Sequence, residues 1–155
     1  MRNAIKTVGV VLALTLSACG GDKGDDLNQF IGTWQPTSGT ITAVCQGYPL
    51  TGTVTGNVVW RAGINSDLVQ TNSDGCSMMA DVRGSTASGV PNTICTGPDG
   101  AGGVQTETFA SYTFVVSPDG HTASENASGT ITIVEQGATL PCTLNATASY
   151  QKIGN

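Results

Sequence analysis

Five cysteines and a single histidine are the residues with the most reactive side chains in this chain of 155. Cys19 follows an apolar run near the start. Cys45, Cys76, Cys95 and Cys142 are spread through the rest, and His121 stands alone. A zinc site needs ligands clustered at short spacings, and no Cys-x-x-Cys or Cys-His pair is present. His121 follows Asp119-Gly120, turn chemistry that exposes a side chain to solvent. A Ser-His-Asp triad would need that histidine and a Gly-x-Ser-x-Gly elbow, which the chain lacks. Glu107 and Glu125 could serve as paired carboxylates of a glycosidase if neighbouring strands held them at a suitable separation. Nothing in their spacing fixes one, so both are expected on the solvated surface. Asn72-Ser73-Asp74-Gly75 lacks the run of oxygen ligands and the distal Glu of a calcium loop. The Gly97 to Gly103 stretch has glycines but no lysine and no following helix, so it is no phosphate loop. No metal, cofactor or catalytic set is expected, and the reading is non-enzymatic.

The N-terminus bears on where the chemistry sits. Arg2 and Lys6 make a short positive head, and Val8 to Leu16 is an apolar run of nine. As a helix, nine residues rise about 14 Å, against about 30 Å for a bilayer core. The pattern is therefore a secretory signal rather than a membrane span. Leu16-Ser17-Ala18-Cys19 resembles the lipobox of bacterial lipoproteins. That resemblance implies a diacylglyceryl thioether on Cys19, cleavage before it, and acylation, commonly with palmitate, of the freed amine. It also implies membrane attachment through this lipid anchor. In such families an Asp after the cysteine retains the protein at the inner membrane, so Gly20 implies the outer membrane of the cell envelope. Residues 1–18 are read as signal peptide, 19–28 as lipidated cysteine and flexible tether, and 29–155 as one β-domain.

Once Cys19 is set aside, four cysteines remain, an even number in an oxidising compartment. They read as two disulfides. Removing residues 1–18 leaves 137 residues, enough for a single core. The formal net charge moves from −5 to −7. Only Lys23, Arg61, Arg83 and Lys152 remain as strong cations, which excludes a nucleic-acid footprint. Thr, Ser, Gly and Asn fill the polar positions, a composition that favours strands and turns over helices.

Periodicity agrees. Leu140, Cys142, Leu144, Ala146, Ala148 and Tyr150 alternate with polar residues, a period of two that no helix holds on one face. Ile131 and Ile133 share a face in Thr130–Val134. Glu135-Gln136-Gly137-Ala138 between these two runs reads as a hairpin loop, pairing Ile133 with Leu140 and Ile131 with Cys142. Ala110, Tyr112, Phe114 and Val116 alternate before the Ser117-Pro118-Asp119-Gly120-His121 turn, where Gly120 takes the left-handed position. Further strands are expected at Gly39–Cys45, Thr51–Arg61, Ser66–Thr71, Cys76–Arg83 and Val90–Cys95. About eight strands with short connections make an antiparallel meander. Such a meander closes most simply into an up-and-down barrel, because closure removes open edges. A two-sheet β-sandwich is the alternative.

Closure makes the disulfides arguable. The first strand then lies antiparallel to the last, with Cys45 beside Cys142, Ala43 facing Leu144 and Ile41 facing Ala146. Cys76 and Cys95 lie symmetrically about Ser85-Thr86, as opposed residues of one hairpin.

Phe30-Ile31-Gly32-Thr33-Trp34 resembles the entry strand of the calycin barrels, which include lipocalins, fatty-acid-binding proteins and avidins. The resemblance implies that Trp34 packs at the closed end of a barrel near a basic residue of the last strand, where Lys152 stands. The chain departs from lipocalins in having no evident C-terminal helix and none of their other signature segments. Trp34 and Cys45 differ in parity, so both face inward only if Pro36-Thr37-Ser38-Gly39 holds a bulge.

An eight-stranded barrel either fills with side chains or holds one small ligand. Trp60, Tyr112, Phe114 and Leu144 are the candidate cavity-lining residues. Small inward residues (Ala43, Ala110, Ala146, Ala148, Gly129) would leave room. The expected role is a structural or protein-interaction domain of the envelope, with a barrel for a small apolar ligand as the alternative.

Overall fold

Alternating side chains commit this chain to strands almost throughout. The computed structural model describes residues 23–72, 75–98, 103–135 and 138–155. Cys19 and the lipobox lie outside them. Among these residues there is one short helix, α1 (Lys23–Asn28), and ten strands. The strands are β1 (Gly32–Cys45), β2 (Tyr48–Thr53), β3 (Val58–Ala62), β4 (Leu68–Asn72), β5 (Ser77–Arg83), β6 (Thr86–Gly89), β7 (Thr93–Pro98), β8 (Val104–Val116), β9 (Thr122–Glu135) and β10 (Ala138–Gly154). All pairings are antiparallel. No described helix is long and apolar enough to cross a membrane.

The circuit β1-β3-β4-β5-β6-β8-β9-β10 closes on itself through β10 and β1, giving an eight-stranded barrel with β2 and β7 as additions. Those additions have a simple origin. The segment expected as one strand over Thr51–Arg61 is two, because the chain leaves the ladder at Val54–Asn57, where Gly56 has φ +94°. Its halves pair with opposite ends of β1. The expected strand Val90–Cys95 forms only from Thr93, after a turn at Pro91 and Asn92 (φ +63°) that follows β6, and β6 and β7 pair with successive parts of β8. Strands β1, β8, β9 and β10 are 13–17 residues long, and β3 to β6 only 4–7. One side of the barrel is therefore a tall wall, flanked by β2 and β7.

Turn residues set the registers. Gln46 and Gly47 both take positive φ, the requirement of a two-residue hairpin, and this joins β1 to β2. Gly120 has φ +73° and donates its N–H to the Ser117 carbonyl. Ile133 faces Leu140 and Ile131 faces Cys142. Cys45 lies opposite Cys142, with Ala43 at Leu144 and Ile41 at Ala146. The parity difference between Trp34 and Cys45 is absorbed by a shift between Pro36 and Ser38, where β1 carries one extra residue; a separate shift, on the β10 side, lies between Thr33 and Trp34.

The disulfides are Cys45–Cys142 and Cys76–Cys95, with Cα separations of 4.2 and 5.4 Å. The second pair are not opposed residues of one hairpin. The β5–β6 hairpin pairs Arg83 with Thr86 and Ala80 with Gly89. Beyond it the chain turns away, and Cys95 sits on β7 opposite Glu107 of β8. The bridge thus ties the start of β5 to the tall wall.

The main core fills one end of the barrel. Phe30, Trp34, Trp60, Leu68, Ala80, Ala87 and Phe114 are fully buried there. Trp34 donates its indole N–H to the Phe30 carbonyl, and its ring meets Phe114 edge-on at 5.3 Å. Lys152 Nζ stands 5.5 Å from the Trp34 ring and donates to the Gln29 carbonyl. Helix α1 occupies part of the stretch expected as tether, and Leu27 packs on this core. The chain therefore enters the domain at the closed end. A smaller cluster of Cys45, Ile131, Cys142 and Leu144 lines the opposite half.

Candidate ligand cavity of the barrel

Above the closed end, β8, β9 and β10 bring three polar side chains to one level of the interior. Ala123, Glu125 and Ala127 project inward from β9. Tyr112 lies opposite Ala127, and Tyr150 opposite Ala123. Each tyrosine is therefore a diagonal neighbour of Glu125, within reach of a long side chain, and the alanines leave room for both rings. Tyr112 Oη donates to Glu125 Oε2 at 2.8 Å, and Tyr150 Oη to the same oxygen at 3.0 Å. Gln70 of β4 donates through Nε2 to Tyr112 Oη at 3.1 Å. Every donor in this chain of bonds points toward one carboxyl oxygen.

Glu125 is only 8 % exposed. Burial pushes its carboxyl above the ordinary carboxylate range, and the two tyrosine bonds offset part of that rise. Tyr112 and Tyr150 are themselves raised, first by burial and then by the adjacent Glu125. The expectation that Glu125 is solvated is thus corrected. A carboxylate facing apolar neighbours would be costly, and the phenols make it tolerable.

These groups floor a cavity of about 240 Å³. Its walls are Ile41, Val54, Val58, Met78, Phe109 and Leu144, with Ala127 and Ala146 between them. Thr53, Thr55 and Gly56 are exposed at its rim, and Gln105 and Glu107 line it from β8. Among the described residues no Lys, Arg or His lines it.

Tyr112 and Leu144, two of the candidate lining residues, do border this space. Trp60 and Phe114 do not: they pack together at 5.5 Å below the floor, because Trp60 pairs with Gly32 at the start of β1. Trp60 Nε1 is the one buried side-chain polar atom without a partner among the described residues. Two small residues also play other parts than making room. Ala110 is exposed, since a bulge between Phe109 and Ser111 breaks the alternation there. Gly129 is small because the Thr108 carbonyl and Phe109 Cα of β8 press against it.

Glu107 and Glu125 both line the cavity, at different heights along their strands. Glu107 faces Ile131, six residues along β9 from Glu125. That is about 20 Å of strand, whereas glycosidase carboxyls stand about 5–9.5 Å apart. No group of three or more His, Cys, Asp or Glu is placed to hold a metal among the described residues. The signal for Glu125 was present in the sequence. From Ala123 to Ile133 every second residue is small or apolar except this one carboxylate, on a strand expected only from Thr130. No known protein family and no curated protein matches this chain.

Proposed function

We propose that this chain is a lipid-anchored envelope protein whose barrel binds a small molecule and catalyses no reaction. One observation carries the reading: an apolar-walled interior cavity of about 240 Å³ with Gln70, Tyr112, Glu125 and Tyr150 converging on its floor. Apolar walls with a few placed polar groups are the usual make-up of ligand sites. A cavity of about 150 Å³ admits benzene, so this one suits a ligand of about ten heavy atoms. The ligand is thus amphipathic rather than wholly apolar.

The entry of the chain supports a geometry for the anchored protein. Three residues separate Cys19 from Lys23, four chain steps or about 14 Å when extended. A lipid on Cys19 would hold the closed end toward the membrane, leaving the mouth facing away. The competing reading, an interaction module, would use the free edge at β2. All six β2 residues are exposed, including Tyr48 and Leu50. Pro49 lies within that strand, and proline on an edge discourages strand addition. We therefore favour the cavity.

Native mass spectrometry of the full chain purified from envelopes tests this reading, with Ala146→Phe as a variant that fills the cavity. The expected result is a retained small molecule, lost in the variant. Equal spectra, with no small-molecule adduct in either protein, would overturn it.

A further inference from the structure

The floor of the cavity is electrostatically incomplete. Glu125 Oε2 receives both tyrosine hydroxyls, while no described group bonds Oε1. Oε1 is not sealed off either, since it is absent from the fully buried atoms lacking partners. The lining holds two carboxylates, Glu125 and Glu107, and no basic residue among those described. Cations in the domain lie elsewhere: Arg61 is exposed on β3, Arg83 at the end of β5, and Lys152 at the closed end. A buried carboxylate with two neutral donors and no counter-ion is one partner of an ion pair whose other partner is missing.

We propose that the cavity takes a small protonated amine with an apolar body of about one ring, its ammonium bonded to Glu125 Oε1. This deepens the ligand-binding reading above and rests on it. The desolvation of Glu125 has already been met during folding, and Tyr112 and Tyr150 hold the carboxyl in place. An incoming ammonium therefore bears only its own dehydration, and forms a charge-assisted bond of the stronger kind. Phe109 and Tyr112, packed edge-to-face at 6.4 Å, offer ring surface that also attracts a cation. The body of the ligand has Ile41, Val54, Met78 and Leu144 for walls. Net charge favours the same sign, since the chain carries −5 overall and attracts cations from a distance.

Equilibrium dialysis of the full chain against matched probes tests this. The probes are 2-phenylethylamine, the near-isosteric neutral 2-phenylethanol, and phenylacetate. The amine is expected to bind about ten-fold or more tightly than the alcohol, which is the scale of one charge-assisted bond, with phenylacetate weakest. Glu125→Gln should bring the amine down to the level of the alcohol. The wild-type comparison stands even if that variant fails to fold. Alcohol binding as tightly as amine, with both blocked by Ala146→Phe, would overturn the amine assignment and leave the cavity reading intact. Failure of all three probes to bind would overturn both.

Discussion

Lys152 stands over the indole of Trp34, with Nζ 5.5 Å from the ring, and joins the last strand of the barrel to the first. Trp34 is fully buried, so Trp34→Ala loses its transfer energy and leaves a cavity, about 3–5 kcal/mol. The cation over the ring adds about 0.5–1 kcal/mol. Denaturant unfolding should therefore show Trp34→Ala far more damaging than Lys152→Ala, with modest coupling in the double variant. A Trp34→Ala protein as stable as the wild type would contradict the closed-end packing.

Gly129 is a second point where the barrel has no slack. It faces Phe109 beside the β8 bulge, and an added methyl would run into the Thr108 carbonyl. Backbone cannot yield as a side-chain tip does. Gly129→Ala should cost about 1–3 kcal/mol, the range for overpacking. Gly52→Ala, where the space is open, is the control and should be close to neutral. Similar melting temperatures for the two variants would remove the close approach.

Much of this fold was legible because strand periodicity and turn chemistry agree. The β9–β10 register, the Cys45–Cys142 opposition and the Pro36–Ser38 irregularity all follow from parity and from closing the meander. The breaks were harder to read. Gly56 and Pro91-Asn92 interrupt segments that still look like strands, because local alternation does not reveal when a chain leaves its ladder. The cavity floor was hidden for a different reason. Glu125 reads as surface by its own chemistry, and only tertiary pairing brings Tyr112 and Tyr150 to it. Trp60 and Phe114 were misplaced because an inward direction says nothing about height along the barrel axis.

The two disulfides differ in what they close. Cys45–Cys142 spans 97 residues and Cys76–Cys95 spans 19. Chain-entropy reasoning assigns the longer loop about 4.7 kcal/mol and the shorter about 3. Replacing Cys45 and Cys142 together by Ala should therefore destabilise more than replacing Cys76 and Cys95. Chemical denaturation of both double variants measures this, and the reverse order would show that native-state contacts, not loop closure, dominate.

The proposed lipid anchor on Cys19 has its own test. Cys19→Ser should abolish incorporation of an alkyne palmitate analogue and release the protein from membranes. One acyl chain binds reversibly and several bind stably, so the change should be close to complete. Unchanged labelling of the variant would sink the assignment of Cys19.

Glu125 should make stability and the proposed amine binding respond to acid in opposite senses. Burial raises its carboxyl above the ordinary value of 4.5 in the folded chain. The folded state thus keeps a proton that the unfolded state has already released. Between 4.5 and the higher folded value, the unfolded chain binds fewer protons, so stability falls as pH rises. The contribution is fully present below 4.5 and gone above the folded value. Asp119 shifts the other way, held down by the Ser117 hydroxyl and the His121 N–H, but it is common to wild type and variant. Subtracting the Glu125→Gln stability profile from that of the wild type, from about pH 8 down to about pH 4.5, should isolate a gain on acidification. Parallel profiles would mean that Glu125 is not buried as described. Amine affinity should move oppositely, because an ammonium needs the carboxylate and loses it as pH falls through the folded value. Acid would then stabilise the empty barrel while releasing a cationic ligand, whereas 2-phenylethanol would bind no less well in acid.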